Sequence, residues 1–113
     1  MISKNNFIEI VLSFQEVVQL PHFQKISFRV NKKIFCTLDE DAKLAVIKIS
    51  INDQSVFCSF AGGAMYPVEG KWGLQGWTVI DLSKAKIDMI TDALKLSYVL
   101  IAPKRLAEKY NDI

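Results

Sequence analysis

Apolar residues near the start of the chain fall at helical spacing: Phe7, Ile10, Phe14 and Val17 form a stripe that Val11 and Val18 widen. The pattern predicts a helix over residues 3–19. Asn6 with Glu9 three positions on has capping-box spacing, and Asn5 or Ser3 are alternative caps. Pro21 is expected to stop the helix, because proline cannot donate to the helical ladder and pushes Leu20 toward extended backbone. From Lys25 the period changes to two. Ile26, Phe28 and Val30 point one way and Ser27 and Arg29 the other, so a strand with one wet face is predicted. Asn31-Lys32 suits a tight hairpin turn, since Asn tolerates positive φ. Residues 34–38 return as a second strand. Asp39-Glu40-Asp41 reads as a solvated turn, and residues 44–51 form a β-branched third strand.

Asn52 or Asp53 then caps a second helix with Val56, Phe57 and Phe60 on its buried side, closed by Gly62-Gly63. Residues 65–68 and 77–80 read as the fourth and fifth strands. They flank a loop that carries both tryptophans, Trp72 and Trp77, with Gly70, Gly73 and Gly76. Asp81 or Ser83 caps the last helical region, whose core stripe is Ile87, Ile90, Leu94, Ser97 or Tyr98, and Ile101. Pro103 breaks it, and residues 104–110 continue as a short terminal helix. The order α-β-β-β-α-β-β-α-α predicts an α+β fold: a two-layer sandwich with a five-stranded antiparallel sheet and helices to one side. Residues 1–113 make one domain, since a single core commonly spans roughly 100–200 residues.

Half the residues are apolar, so a core can form without a disulfide or metal to staple it. Fourteen basic and twelve acidic side chains leave a formal charge of only +2, so binding to nucleic acid would rest on a local basic patch. Cys36 and Cys58 are too few and too far apart for a zinc cage, and the expectation is two buried, reduced thiols. The apolar stretch over residues 7–20 is interrupted by Glu9 and Glu16 and has neither the basic lead nor the cleavage site of a signal peptide. A cytoplasmic protein without a membrane segment is expected.

Candidate chemistry is sparse. His22 is the single histidine, placed just past the first helix, and reads as a residue that caps carbonyls or packs on the sheet rather than as a base. Asp39, Glu40 and Asp41 lack the alternation and distal Glu of a calcium loop. The glycines of the Trp loop do not follow the phosphate-cradling order, and that loop leads into a strand. No cofactor and no metal are expected. The basic residues carry more: Arg29, Lys32 and Lys33 gather at the first hairpin, Lys71 adjoins Trp72, and Lys104, Arg105 and Lys109 lie on the terminal helix. A cation beside an exposed aromatic suits phosphate contact with base stacking. The plainer alternative is that edge lysines block strand pairing and terminal lysines complement a helix dipole. Trp77, on the Val79 side of its strand, reads as core; Trp72 either folds back over the sheet as a lid or stands at a binding surface.

Several segments in order, His22-Phe23-x-Lys25-x-Ser27-Phe28-Arg29-Val30, Lys33-Ile34-Phe35, Tyr66-Pro67, Gly70-Lys71-Trp72-Gly73, Gly76-Trp77-Thr78, Asp81-Leu82, Ser97-Tyr98 and Ala102-Pro103-Lys104, resemble the MmcQ/YjbR family of small bacterial proteins. The resemblance implies an α-β(3)-α-β(2)-α fold and a DNA-binding role, by analogy with a "double wing" viral transcription factor domain. The same two-layer arrangement also resembles type III secretion chaperones, which bind protein segments. No catalytic residues come with the family. The expectation is therefore a non-enzymatic binding domain with DNA as its ligand, in which Arg29, Lys32, Lys33 and Lys71 contact phosphates and Trp72 stacks. The alternative is a protein-interaction or dimerisation module that uses a strand edge or the Trp72 loop. A small-molecule pocket under that loop is disfavoured by the lone histidine and the lack of convergent polar groups.

Overall fold

The computed structural model describes residues 2–110. Helix α1 spans Lys4–Leu12, and Ser3 caps it, its hydroxyl accepting from the Asn6 N–H. The helix ends seven residues earlier than the apolar stripe suggests. Ser13 turns its hydroxyl back to donate to the Ile10 carbonyl at 2.6 Å, and Glu16 takes a left-handed φ of 62°. The stripe still does its packing, because Phe7, Val11 and Phe14 are all buried, but Phe14 reaches the core from the turn rather than from a helix. The turn is held by the far end of the chain: the Tyr98 hydroxyl donates to the Gln15 carbonyl at 2.7 Å, and the Gln15 N–H donates to the Tyr110 hydroxyl.

Residues expected to finish the helix instead form strand β1, Val18–His22, antiparallel to β2, Lys25–Val30. Pro21 is thus not a helix stop but a residue of an edge strand, where its missing N–H leaves no ladder bond unmade. The β2 to β3 hairpin forms as expected. Asn31 and Lys32 both have positive φ, 51° and 68°, as a two-residue turn of the I′ kind requires. Strand β3, Lys33–Asp39, carries one extra residue against β2 near Phe28 and Arg29, and β4, Leu44–Lys48, completes the meander.

Helix α2, Ile51–Phe60, is capped by Ser50, whose hydroxyl accepts from the Asp53 N–H, so Asn52 and Asp53 lie inside the helix. Its burial reverses the expectation: Val56 is 54% and Phe60 77% exposed, Phe57 is half-buried, and the buried residue is Gln54. Strand β5, Met65–Pro67, is followed by a one-turn helix α3, Lys71–Leu74, which the sequence pattern did not reveal, and then by β6, Trp77–Asp81. Helix α4, Ile87–Ile101, buries Ile90, Leu94, Ser97 and Tyr98 but leaves Ile87 exposed; it begins beyond Asp81 and Ser83, which bond to each other in the preceding turn. Pro103 breaks the chain as expected and leads into α5, Lys104–Ala107, and a 3₁₀ turn, Glu108–Tyr110.

The fold is α+β with an antiparallel sheet of six strands, not five, in the order β1-β2-β3-β4-β6-β5. The added strand is β1. One face of the sheet (Phe28, Cys36, Leu38, Ala45, Ile47, Thr78, Ile80, Met65) is buried beneath the helices, where Phe7, Val11, Leu94 and Tyr98 close the core. Tyr98 stands at its centre, stacked on Phe14 at 5.0 Å and edge-on to Phe35 at 5.9 Å. Both cysteines are free thiols; Cys36 is fully buried, which pushes its thiol well above the ordinary range, and Cys58 is only partly covered. Among the described residues no helix is long and apolar enough to cross a membrane.

Candidate functional site

On the other face of the sheet, among the described residues, the one-turn helix α3 borders the strands, and strand register places the side chains in three rows. His22 and Lys25 pair at one end, where Asp39, Leu44 and Asp81 also lie. The middle row is Leu20, Ser27, Thr37, Val46, Val79 and Tyr66. At the far end Val18, Arg29 and Ile34 stand on one side and Lys48 and Trp77 on the other. The two carboxylates are tied into their own turns: Asp39 Oδ1 accepts from the Ala42 N–H, and Asp81 Oδ1 from the N–H and hydroxyl of Ser83, which hold the Asp81 carboxyl below its ordinary range.

Ser27 was expected on a wet face, and it is fully buried. Its hydroxyl donates to the Leu20 carbonyl at 3.0 Å and accepts from Arg29 Nε at 3.1 Å. The added strand β1 contributes the Leu20 carbonyl and Arg29 the side chain between which the hydroxyl is held. Ser27 thereby holds the stem of Arg29 over the open face, and its bond engages one of the five guanidinium donors. Lys48 lies over the Trp77 ring, 5.8 Å from its centroid. Trp77 does share the Val79 side of β6, but that side is the open face, so the ring is half-buried rather than part of the core.

Trp72 is 54% exposed and lines a cleft of about 480 Å³. The cleft crosses the open face from His22 and Lys25 to Trp72 and Trp77, over Ile34, Thr37, Val46 and Val68. Trp72 is therefore neither shut inside nor clear of the sheet: part of it borders the cleft and the rest meets solvent. Its position is fixed from below. Gln54 Nε2, coming from α2, donates to the carbonyls of Gly73 and Trp77 at 3.0 and 3.1 Å and to Thr78 Oγ1 at 3.0 Å. Two glycines allow the backbone to pass this close. A Cβ on Gly73 would run into the Val68 carbonyl, and one on Gly76, whose φ is 102°, into the Ile49 carbonyl. The Trp-Gly-x-x-Gly-Trp spacing is thus a backbone-packing device that presents two indoles, not an anion cradle.

Of the sequence-predicted site residues, Arg29, Lys32, Lys33, Lys71 and Trp72 all reach one end of the sheet. The β2 to β3 turn with Lys32 and Lys33 and the α3 loop with Lys71 and Trp72 leave that same end, with β4 between β3 and β6. Neighbouring strands lie ~4.8 Å apart, so the two loops are about 10 Å apart at their strand roots. Lys32, Lys33 and Lys71 are exposed around the rim and do not line the cleft. The terminal-helix cations are elsewhere and engaged. Arg105 makes a two-pronged pair with Glu16 at 2.8 and 3.0 Å, Lys109 donates to Gln15 Oε1, and Lys104 sits 3.9 Å from Glu108. The Arg105 hydrogen bond holds the Glu16 carboxyl below its ordinary range.

Sequence reasoning missed Lys25, Lys48 and Phe23. Lys25 could have been placed on the face of Ser27 and Arg29 by period-two counting. Lys48 faces Trp77 only because β4 pairs with β6, a contact between strands far apart in the chain. No group of three or more His, Cys, Asp or Glu among the described residues is arranged to hold a metal ion.

No family model matches the chain, and no curated protein matches it. Among solved structures, it is similar to the crystal structure of Deinococcus radiodurans protein DR2400, which carries a DUF419 domain. The two superpose with a TM-score of 0.78 over 96% of this chain and 87% of that one, at 11% sequence identity. At that identity the likeness is one of fold: this chain and the DUF419 protein share the α+β architecture described above.

Proposed function

We propose that this protein is a non-enzymatic binding domain of the MmcQ/YjbR type whose ligand is DNA, held at the open face of the sheet. The observation that supports this most is the gathering of cations and indoles at one end. Arg29 and Lys48 lie on the face itself, Lys32, Lys33 and Lys71 around its rim, and Trp72 and Trp77 beside them, while Asp39 and Asp81 stand at the opposite end. A near-neutral chain with its cations gathered in this way, and Glu69 the carboxylate of the α3 loop beside them, offers a local phosphate-binding surface. The backbone contacts fall to Arg29, Lys32, Lys33, Lys48 and Lys71, and Trp72 supplies a stacking face. Fluorescence anisotropy with labelled DNA across a salt series tests this. Each phosphate neutralised contributes about −0.9 to the log–log slope on duplex or −0.7 on single strands. Reversing Lys32 and Lys33 to Glu is expected to flatten the slope by roughly two contacts' worth. Binding that ignores salt, or no retention on any DNA at low ionic strength, refutes the reading.

A second reading, a protein-interaction module, is favoured by α2, where Val56 and Phe60 stand exposed beside Met89 in a shallow groove. The strand-edge version of that reading loses support, because both edge strands carry a proline, Pro21 in β1 and Pro67 in β5. Replacing Phe60 by Glu would abolish concentration-dependent self-association in sedimentation experiments if this groove is used, and would leave DNA affinity unchanged.

A further inference from the structure

The cleft that Trp72 and Trp77 line does not end at His22 and Lys25. Those two residues also line a second hollow, of about 530 Å³, with Phe23 and Gln24 at the β1 to β2 turn. Phe23 is the most exposed large apolar side chain among the described residues, at 93%, and its φ is 59°. A bulky residue seldom adopts that backbone conformation. Here it holds the ring out from the tip of the hairpin, edge-on to His22 with centroids 4.9 Å apart. One surface track therefore runs from Trp72 and Trp77 past Lys25, with His22 beside it, to Phe23.

We infer that this track takes a single strand rather than a duplex, with unpaired bases stacked on Trp72 and on Phe23 and the backbone of the intervening nucleotides passing Lys25. The inference rests on the DNA-binding reading and narrows it. A duplex keeps its base faces covered by their neighbours and offers phosphates and groove edges; rings that stand free with their faces open need bases that are likewise unstacked. The floor of the cleft, Ile34, Val46 and Val68 with Thr37 among them, is mainly apolar and suits the flat face of a base better than a phosphodiester. Asp39 and Asp81 lie at the Lys25 end of the same face, so cations tighten the strand chiefly at the Trp72 end and aromatic contact matters most at the Phe23 end.

The test compares a 15-residue oligothymidylate with a 15-base-pair duplex, using fluorescence anisotropy of labelled DNA and quenching of Trp72 and Trp77, the only tryptophans in the chain. The single strand is expected to bind at least about tenfold more tightly than the duplex and to quench the indoles. Phe23→Ala, at a position too exposed to affect melting, is expected to weaken oligothymidylate binding about tenfold, with Phe23→Tyr restoring it. Equal or tighter duplex binding overturns the inference and leaves the DNA-binding reading standing. So does an unchanged oligothymidylate affinity in Phe23→Ala. If neither DNA binds at low salt, both fall together.

Discussion

Gln54 is the side chain on which the position of the tryptophan loop most depends, and removing its amide isolates that dependence. Its Nε2 faces three acceptors: the Gly73 and Trp77 carbonyls and a Thr78 hydroxyl whose own proton goes to the Gly76 carbonyl at 3.1 Å. Two N–H groups serve the three, so two hydrogen bonds' worth of stabilisation is at stake. The two carbonyls keep one partner each, from the Gly76 N–H and the Val68 N–H. At about 1 kcal/mol net per bond, Gln54→Met, which preserves length and lacks the amide, is expected to cost about 2 kcal/mol. With urea m-values of roughly 1–3 kcal/mol/M for domains of this size, that shifts the unfolding midpoint down by about 1 M.

Gln54→Glu separates donation from shape. A carboxylate turns lone pairs toward three acceptors and is expected to cost at least about 3 kcal/mol at neutral pH. Protonation gives the new carboxyl a donor, so its pKa in the folded protein lies above the unfolded value of ~4.3. The deficit is then largest above the folded value and shrinks as pH falls through it toward the unfolded one. Urea titrations at several pH values, followed by tryptophan fluorescence, read both effects. If Gln54→Glu matches wild-type stability at neutral pH, or shows a deficit independent of pH, Gln54 does not act as the donor that fixes this loop.

Other substitutions probe the rest of the frame. Gly76→Ala meets the Ile49 carbonyl and a φ of 102°, so it is expected to cost about 3 kcal/mol or more by thermal melting, whereas Gly62→Ala, with open space around it, costs about 1 kcal/mol from positive φ alone. Tyr98→Phe removes the donor to the Gln15 carbonyl and is expected to lower stability by about 1–2 kcal/mol, with the loss concentrated in exchange protection of the turn after α1. The Arg105 hydrogen bond depresses the Glu16 pKa, so this pair stabilises the fold above the unfolded carboxylate value and that contribution is lost as pH falls through the lowered folded one. Arg105→Ala should therefore flatten the acid limb of the pH–stability curve, and an unchanged limb would contradict the assignment.

What the sequence determined by itself was local. The β2 to β4 meander, the Asn31-Lys32 turn, the glycine end of α2 and the Pro103 break each follow from a period, a φ preference or a missing N–H within a few residues, and each forms where it was read, except that β4 ends at Lys48 rather than at residue 51, which opens α2. The basic hairpin and Trp72 were legible as candidates for the same reason. Distant partners decided the rest. Residues 17–20 carry helical and strand signals at once, and the strand prevails because β2 offers a ladder while Tyr98, Tyr110 and Arg105 pull the preceding turn out of the helix. Trp77 points to the open face, and Phe60 to solvent, because strand pairing and helix placement set which side of each element has a layer over it. Periodicity says which residues share a face; only the packed layers say which face is covered.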